Sequence, residues 1–241
     1  MIKKLTFFFL VALFVVSCAP DPTKPYGNIF QAIQKNDIAA VKAFVKKNPH
    51  VLNEQNAVNK NYPLHESLLP KKPEIARWLA EKGADCNVKN GTGETPFQIV
   101  ILQGDKELLS LMIKKGANVN AQGYAGFSPL QRACMISDRK EIAQLLLEKG
   151  AKVDQQDENG ITPLMSASGW GFKDLVALLL EKGADISIKD KSGRSALDFA
   201  ILKNRKEVIE LLKAKGARPS EKTDSGISVS ESLITITRQS A

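Results

Sequence analysis

The chain has 241 residues, 43% hydrophobic and 25% charged, a profile that excludes wholesale disorder and a polytopic membrane protein. Its formal charge of +8 is spread out, with no run of five or more basic residues, so a nucleic-acid partner is not indicated. Three Cys and two His supply neither a disulfide framework nor the ligands of a usual zinc site, and 6% aromatics argue against a core of large rings.

The first 25 residues stand apart from the rest. Lys3 and Lys4 precede the apolar run Leu5–Val16, which is interrupted only by Thr6. The run falls short of the ~20 apolar residues that a membrane-spanning helix needs. It also lacks the polar face of a buried amphipathic helix. It fits the hydrophobic region of a secretory signal peptide. The following Val15-Val16-Ser17-Cys18 resembles the lipobox of bacterial lipoproteins. That resemblance implies a signal peptide over residues 1–17, cleavage before Cys18 and acyl chains on Cys18. At ~0.8 kcal/mol per buried CH₂, two or three chains hold a protein on a membrane where one does not. It further implies a bacterial envelope location. Ala19 after Cys18 is similar to lipoproteins sorted to the outer membrane, with the domain in the periplasm or at the cell surface. The alternative is a secreted soluble protein in which Cys18 has no such role. Ala19–Pro25 contains three prolines, so residues 18–25 read as the lipidated Cys and an extended tether.

The body is periodic. Lys-Gly-Ala recurs at Gly83, Gly116, Gly150, Gly183 and Gly216, with spacings of 33, 34, 33 and 33. A second marker, Pro63, Pro96, Pro129, Pro163 and Ala196, keeps step at 33, 33, 34 and 33, each followed by Leu or Phe. A period of this length marks a stacked repeat array.

Gly160–Asp190 shows the anatomy of one unit. Thr162 suits a helix N-cap and Pro163 the first helical position. A short helix to about Ser168 is predicted, broken by Gly169 and Gly171. Asp174–Glu181 forms a second helix with Leu175, Leu178 and Leu179 on one face. Gly183 falls where a left-handed C-cap residue is wanted, and an extended loop then turns back at Lys191-Ser192-Gly193.

The segments Gly160-Ile161-Thr162-Pro163-Leu164 and Leu178-Leu179-Leu180-Glu181-Lys182-Gly183-Ala184-Asp185 resemble an ankyrin repeat. The family's opening Thr-Pro-Leu-His survives in part as Tyr62-Pro63-Leu64-His65, Thr95-Pro96-Phe97-Gln98 and Ser128-Pro129-Leu130-Gln131. The resemblance implies an all-α repeat solenoid of about six helix-turn-helix-loop units over residues 26–218: 26–59, 60–92, 93–125, 126–159, 160–192 and 193–218. It also implies that His65 hydrogen-bonds within its own repeat. The first unit is degenerate, with Asn48 in the glycine position and Ile38, Val41, Phe44 and Val45 on the apolar face of its second helix. Repeat 2 carries Pro70 and Pro73 between its helices, and repeat 4 has one extra residue near Ser137-Asp138-Arg139. Residues 219–241 form a Ser/Thr-containing tail, partly disordered. Its segment Ile227–Thr237 alternates apolar and polar residues and could form a strand.

Catalytic patterns are absent from the sequence. Neither His50 nor His65 stands in a nucleophile motif, and there is no phosphate loop or HExxH. Carboxylates that recur at the same place in several repeats are solvated helix ends. The reading is a non-enzyme without cofactor or metal, a monomer whose activity is protein binding. Two rivals are an immunity or inhibitor protein capping a toxic periplasmic enzyme, and a protective or redox partner of an envelope enzyme using Cys86 or Cys134.

Partners of ankyrin repeats are usually read by the loop tips and the exposed side of the first helices, which directs attention to four residues. Tyr124 and Phe127 flank Gly126 in the loop entering repeat 4. Met135, with Ile136, is expected at the end of that repeat's first helix. Trp170 is expected in a turn between Gly169 and Gly171. Exposed aromatic and Met side chains of this kind make binding hot spots. Tyr124, Phe127, Met135 and Trp170 are therefore the expected partner-binding residues, forming one apolar patch across repeats 4 and 5. Inward packing is the alternative, open in equal measure for Ile136 and Ile161.

Overall fold

Short local signals set where each helix starts. The hydroxyl oxygens of Ser128, Thr95 and Thr162 accept the N–H three residues on, from Gln131, Gln98 and Met165, at 3.1–3.2 Å. Ser195 does the same for Asp198 at 3.3 Å. Each satisfies a helix-terminal donor that has no partner within the helix. Pro63, Pro96, Pro129 and Pro163 take the first helical position, where no N–H is required.

The computed structural model describes residues 21–69, 72–136 and 139–220. The helices come in pairs: α1 (Ile29–Gln34) and α2 (Ile38–Lys47); α3 (Pro63–Leu68) and α4 (Pro73–Glu81); α5 (Pro96–Gln103) and α6 (Lys106–Lys114); α7 (Pro129–Ala133) and α8 (Lys140–Glu148); α9 (Pro163–Trp170) and α10 (Lys173–Glu181); α11 (Ala196–Leu202) and α12 (Lys206–Ala214). Among the described residues there are twelve α-helices and no strand, so the fold is the all-α repeat solenoid expected from the sequence. The chain divides after Ala84 into two compact units. The N-terminal residues 1–20, including Cys18, and residues 221–241, with the suggested strand, lie outside the described residues.

In the first unit, α1–α4 bury Ile33, Val41, Leu64, Ile75 and Leu79. Asn48 does not adopt the left-handed conformation of the later glycines. Its φ is −144°, and its side chain accepts the His50 N–H at the start of a 3₁₀ turn, Pro49–Asn53. Lys72 caps the C-terminus of α1, donating from Nζ to the carbonyls of Gln34, at 2.6 Å, and Ile33. His65 is fully buried and its Nδ1 accepts the Tyr62 N–H at 3.4 Å, the structural role implied for it.

The second unit shows why Lys-Gly-Ala recurs. Gly116, Gly150, Gly183 and Gly216 have φ between 86° and 92°. This turns the chain so that the N–H of the following Ala117, Ala151, Ala184 and Ala217 bonds back five residues, to Met112, Leu146, Leu179 and Leu212, at 2.9–3.0 Å. The result is the Schellman closure of the helix end. First helices stack as α5, α7, α9 and α11, and α8, α10 and α12 stack behind them. Leu146, Val176, Leu179 and Leu212 are fully buried in this second layer, as are Leu109 and Met112 of α6.

A polar ladder links the loops of successive repeats. Asn87 donates to the Gly116 carbonyl at 3.2 Å and accepts the Asn118 N–H at 2.7 Å. Asn120 repeats the pattern with Gly150, at 3.0 Å, and Lys152, at 2.8 Å. Asp154 occupies the next rung and accepts the Asp185 N–H at 3.1 Å, but a carboxylate offers no donor to Gly183.

Two local expectations are corrected. Trp170 is the last residue of α9 and not part of a turn, because Gly169 keeps helical backbone and only Gly171, at φ 84°, adopts the left-handed cap. The helix tolerates Gly169 because the Phe199 ring packs 3.5 Å from where a β-carbon would stand. Met135 does not end a helix either. The helix α7 stops at Ala133, and Met135 lies two residues beyond it in a turn.

Candidate partner-binding groove

A groove of about 330 Å³ runs across repeats 4, 5 and 6 of the second unit. Phe127 and Met135 line its repeat-4 side, and Ile161, Met165 and Trp170 its middle. Phe199, Lys203 and Arg205 form the repeat-6 end. The structure thus brings together three of the four sequence-expected residues, Phe127, Met135 and Trp170. Tyr124 is not among the residues that line the groove; its ring centroid lies 6.5 Å from that of Phe127, which is.

Local backbone sets each of these positions. In the loop entering repeat 4, Gly123 stands where the loops entering repeats 3, 5 and 6 carry Asn90, Asp157 and Asp190. Those residues accept N–H groups two and four positions on and so shape their hairpins. At Gly123 a β-carbon would collide with Gln98 Oε1, and Gln98 Nε2 ties the loop down by donating to the carbonyls of Ala121 and Phe127, at 3.3 and 2.7 Å. A short 3₁₀ turn, Tyr124–Gly126, results. It leaves Tyr124 54% exposed. Phe127 is half-buried, with the Arg132 guanidinium 5.3 Å above its ring. Arg132 is in turn paired with Glu94 at 2.5 Å.

Trp170 is 51% exposed. Its indole stacks on Phe172, with centroids 6.4 Å apart and planes 10° from parallel. Scattered exposed apolar residues are ordinary, but a large ring held rigidly beside an open apolar groove is not. Ile136 and Ile161 are both half-buried.

The residues that sequence reasoning missed are Met165, Phe199, Lys203 and Arg205. Phase was the available signal: Phe199 lies 33 residues after Ser166, and Lys203 lies 33 after Trp170. Each pair therefore occupies the same column of the stack. Arg205 holds the groove end rigid, its Nε donating to the Gly169 carbonyl at 3.0 Å while its Cδ lies 2.7 Å from the place a Gly171 β-carbon would take. Arg139 has the same role in the earlier repeats, donating to the Ile101 and Leu102 carbonyls at 3.1 and 2.9 Å beside Gly104.

Burial, with the Asp85 charge, pushes the Cys86 thiol up to about 12, and burial alone raises Cys134. Both thiols are buried, outside any disulfide and held protonated at neutral pH, the inert end of cysteine behaviour. Among the described residues no group of His, Cys, Asp and Glu could hold a metal ion, and no helix is long and apolar enough to cross a membrane.

Stacked helix pairs, capped by Thr/Ser-Pro and closed by Gly-Ala, define a helical repeat scaffold. The family model described as ankyrin repeats (3 copies) matches residues 29–122, 70–157 and 130–223. The chain belongs to the ankyrin-repeat family. Over 88 residues, 33% of the chain, it is 35% identical to a putative ankyrin repeat protein of Rickettsia felis, spanning 39% of that protein. Over 137 residues, 54% of the chain, it is 29% identical to an intracellular phospholipase A2 of Caenorhabditis elegans, of which this is 13%. Over 101 residues, 42% of the chain, it is 27% identical to a BTB/POZ domain and ankyrin repeat-containing protein of Oryza sativa, of which this is 16%. The chain therefore spans less than half the length of each of these relatives. Ankyrin repeats are protein-interaction modules and typically non-catalytic.

Proposed function

We propose that this chain is a lipid-anchored, non-catalytic ankyrin-repeat protein of a bacterial envelope. It binds a protein partner through the groove of repeats 4 to 6, with Trp170, Phe127 and Met135 as anchors and Tyr124 at the rim. The observation that carries the reading is Trp170, a large ring half exposed on the edge of an apolar groove in a family of protein-binding modules. The anchor rests on the order of basic residues, apolar run and Val15-Val16-Ser17-Cys18. Ala19 favours the outer membrane, and similarity to an ankyrin-repeat protein of a Rickettsia fits a bacterial setting. The domain acts as a monomer, without cofactor.

Pull-down from envelope membranes with the full chain tests the binding role. Trp170→Ala and Tyr124→Ala should each weaken capture by about 2 kcal/mol, the scale of hot-spot truncation. Capture indifferent to both substitutions would refute the groove as the partner site. Metabolic labelling with palmitate tests the anchor: Cys18→Ala should abolish label and leave the precursor uncut. Normal processing of that variant would refute lipidation.

A further inference from the structure

The groove's polar lining carries one sign of charge. Among the described residues, Lys203 and Arg205 are its charged lining residues, and no carboxylate lines it. Lys203 is exposed, and its ammonium makes no ion pair or hydrogen bond among the described residues. Arg205 commits Nε to the Gly169 carbonyl, and among the described residues its terminal nitrogens make no ion pair. The nearby Lys173 is already matched by Glu207 at 3.3 Å.

We propose that the groove takes an acidic protein segment: a bulky apolar side chain seated against Trp170 and Met135, with a carboxylate a few residues away pairing with Lys203. This rests on the reading of the groove as the partner site. The volume of about 330 Å³ is at the small end of ligand pockets, enough for one or two side chains and too tight for a large cofactor. A wholly apolar segment would cover Lys203 without replacing its water, and a basic one would meet like charge. Both penalties discriminate against those partners. An acidic segment gains from the same two cations in encounter rate and in register.

Selection from a library of random peptides displayed on beads, with the full chain in detergent as bait, tests this. Expected are peptides that pair an aromatic or large aliphatic residue with nearby Asp or Glu, and that are lost when the bait carries Trp170→Ala. Lys203→Glu should weaken the selected peptides about tenfold and favour Lys- and Arg-bearing ones. Lys191→Glu, the same charge change outside the groove, should leave the pool unchanged. A Trp170-dependent pool with no excess of acid, or one unmoved by Lys203→Glu, overturns the acidic partner and leaves the groove reading standing. A pool that ignores Trp170 overturns the groove reading itself. Binding of anionic phospholipid vesicles that requires Trp170 and Lys203, with no peptide enrichment, would assign the cations to a lipid surface and overturn the proposal.

Discussion

Asp154→Asn should stabilise the protein, and the ladder of loop residues says why. Asn87 and Asn120 each use both ends of the amide, accepting one N–H of the next repeat and donating to its glycine carbonyl. Asp154 makes only the first of these contacts, to the Asp185 N–H. Burial, aided by the Asp185 charge, raises the Asp154 carboxyl above its ordinary 3.8, although the Asp185 N–H works against that shift. An amide would keep the accepted hydrogen bond, add a donor to the Gly183 carbonyl and remove the charge. A net neutral hydrogen bond contributes about 0.5–1.5 kcal/mol. The site is largely solvated and the accepted bond loses its ionic character, so the lower half of that range applies. For a domain of this size it corresponds to about 1–4 °C in Tm. The pH dependence has a definite sign. A carboxyl raised in the folded state favours folding most when protonated, below its unfolded pKa, and that advantage is lost as pH rises through the folded value. The gain from Asn should therefore be larger at pH 7 than at pH 3. Thermal and urea unfolding of the full chain at both pH values measures it. Hydrogen exchange at the Asp185 amide reads the rung directly, since repeat arrays need not unfold in one step. A less stable Asn variant at pH 7, with faster exchange at Asp185, would refute the ladder argument.

Gly150→Val should destabilise by about 1–2 kcal/mol from backbone strain alone, because φ is 88° and nothing lies within 4 Å of a new β-carbon; Gly150→Asn should lose less, and equal melting of the Val variant and the parent would contradict the C-cap. Trp170→Ala should cost less than about 1.5 kcal/mol of stability, whereas a core tryptophan would cost roughly 3–5; a urea titration separates these. Arg205→Ala removes the donor to Gly169 and uncovers Gly171, and should cost about 1–3 kcal/mol, seen as faster exchange in α9; unchanged exchange there would reject the bridge.

What could be read in advance was local. Thr162-Pro163, Gly183 and the Leu175/Leu179 face each act within about one helical turn, so their spacing alone announced helix, cap and closure. The end of α9 is hidden in the sequence because Gly169 disfavours a helix interior by about 1 kcal/mol. The packing of Phe199 against it, from 30 residues away, was invisible. Arg139 and Arg205 escaped for a related reason. Their acceptors lie 36 to 38 residues back, slightly more than one period, where no positional comparison looks. The aromatic half of the groove was legible because Trp170 and Phe127 break an otherwise aliphatic pattern. The cationic half was not, since Lys203 and Arg205 resemble many other solvated charges until the fold sets them beside Trp170.

The departures from the repeat pattern gather around the groove, and they have a common physical effect. Gly123 replaces the hairpin-forming Asx residue and hands its place to Gln98, which frees the turn that exposes Tyr124. The helix α7 is five residues long where α5 and α9 have eight, and the lost turn is what sets Met135 on the groove wall. Gly169 admits Phe199 to the floor. A strictly periodic chain would fill each of these places with a cap or a helical turn and present a flat polar face. Stacking does not require the irregularities, because the second-layer residues Leu146, Leu179 and Leu212 keep their burial through this stretch. Restoring the period, by Gly123→Asn together with deletion of Ser137, should therefore close the groove while the helical array persists. Retained partner capture by that variant would show that binding uses some other face.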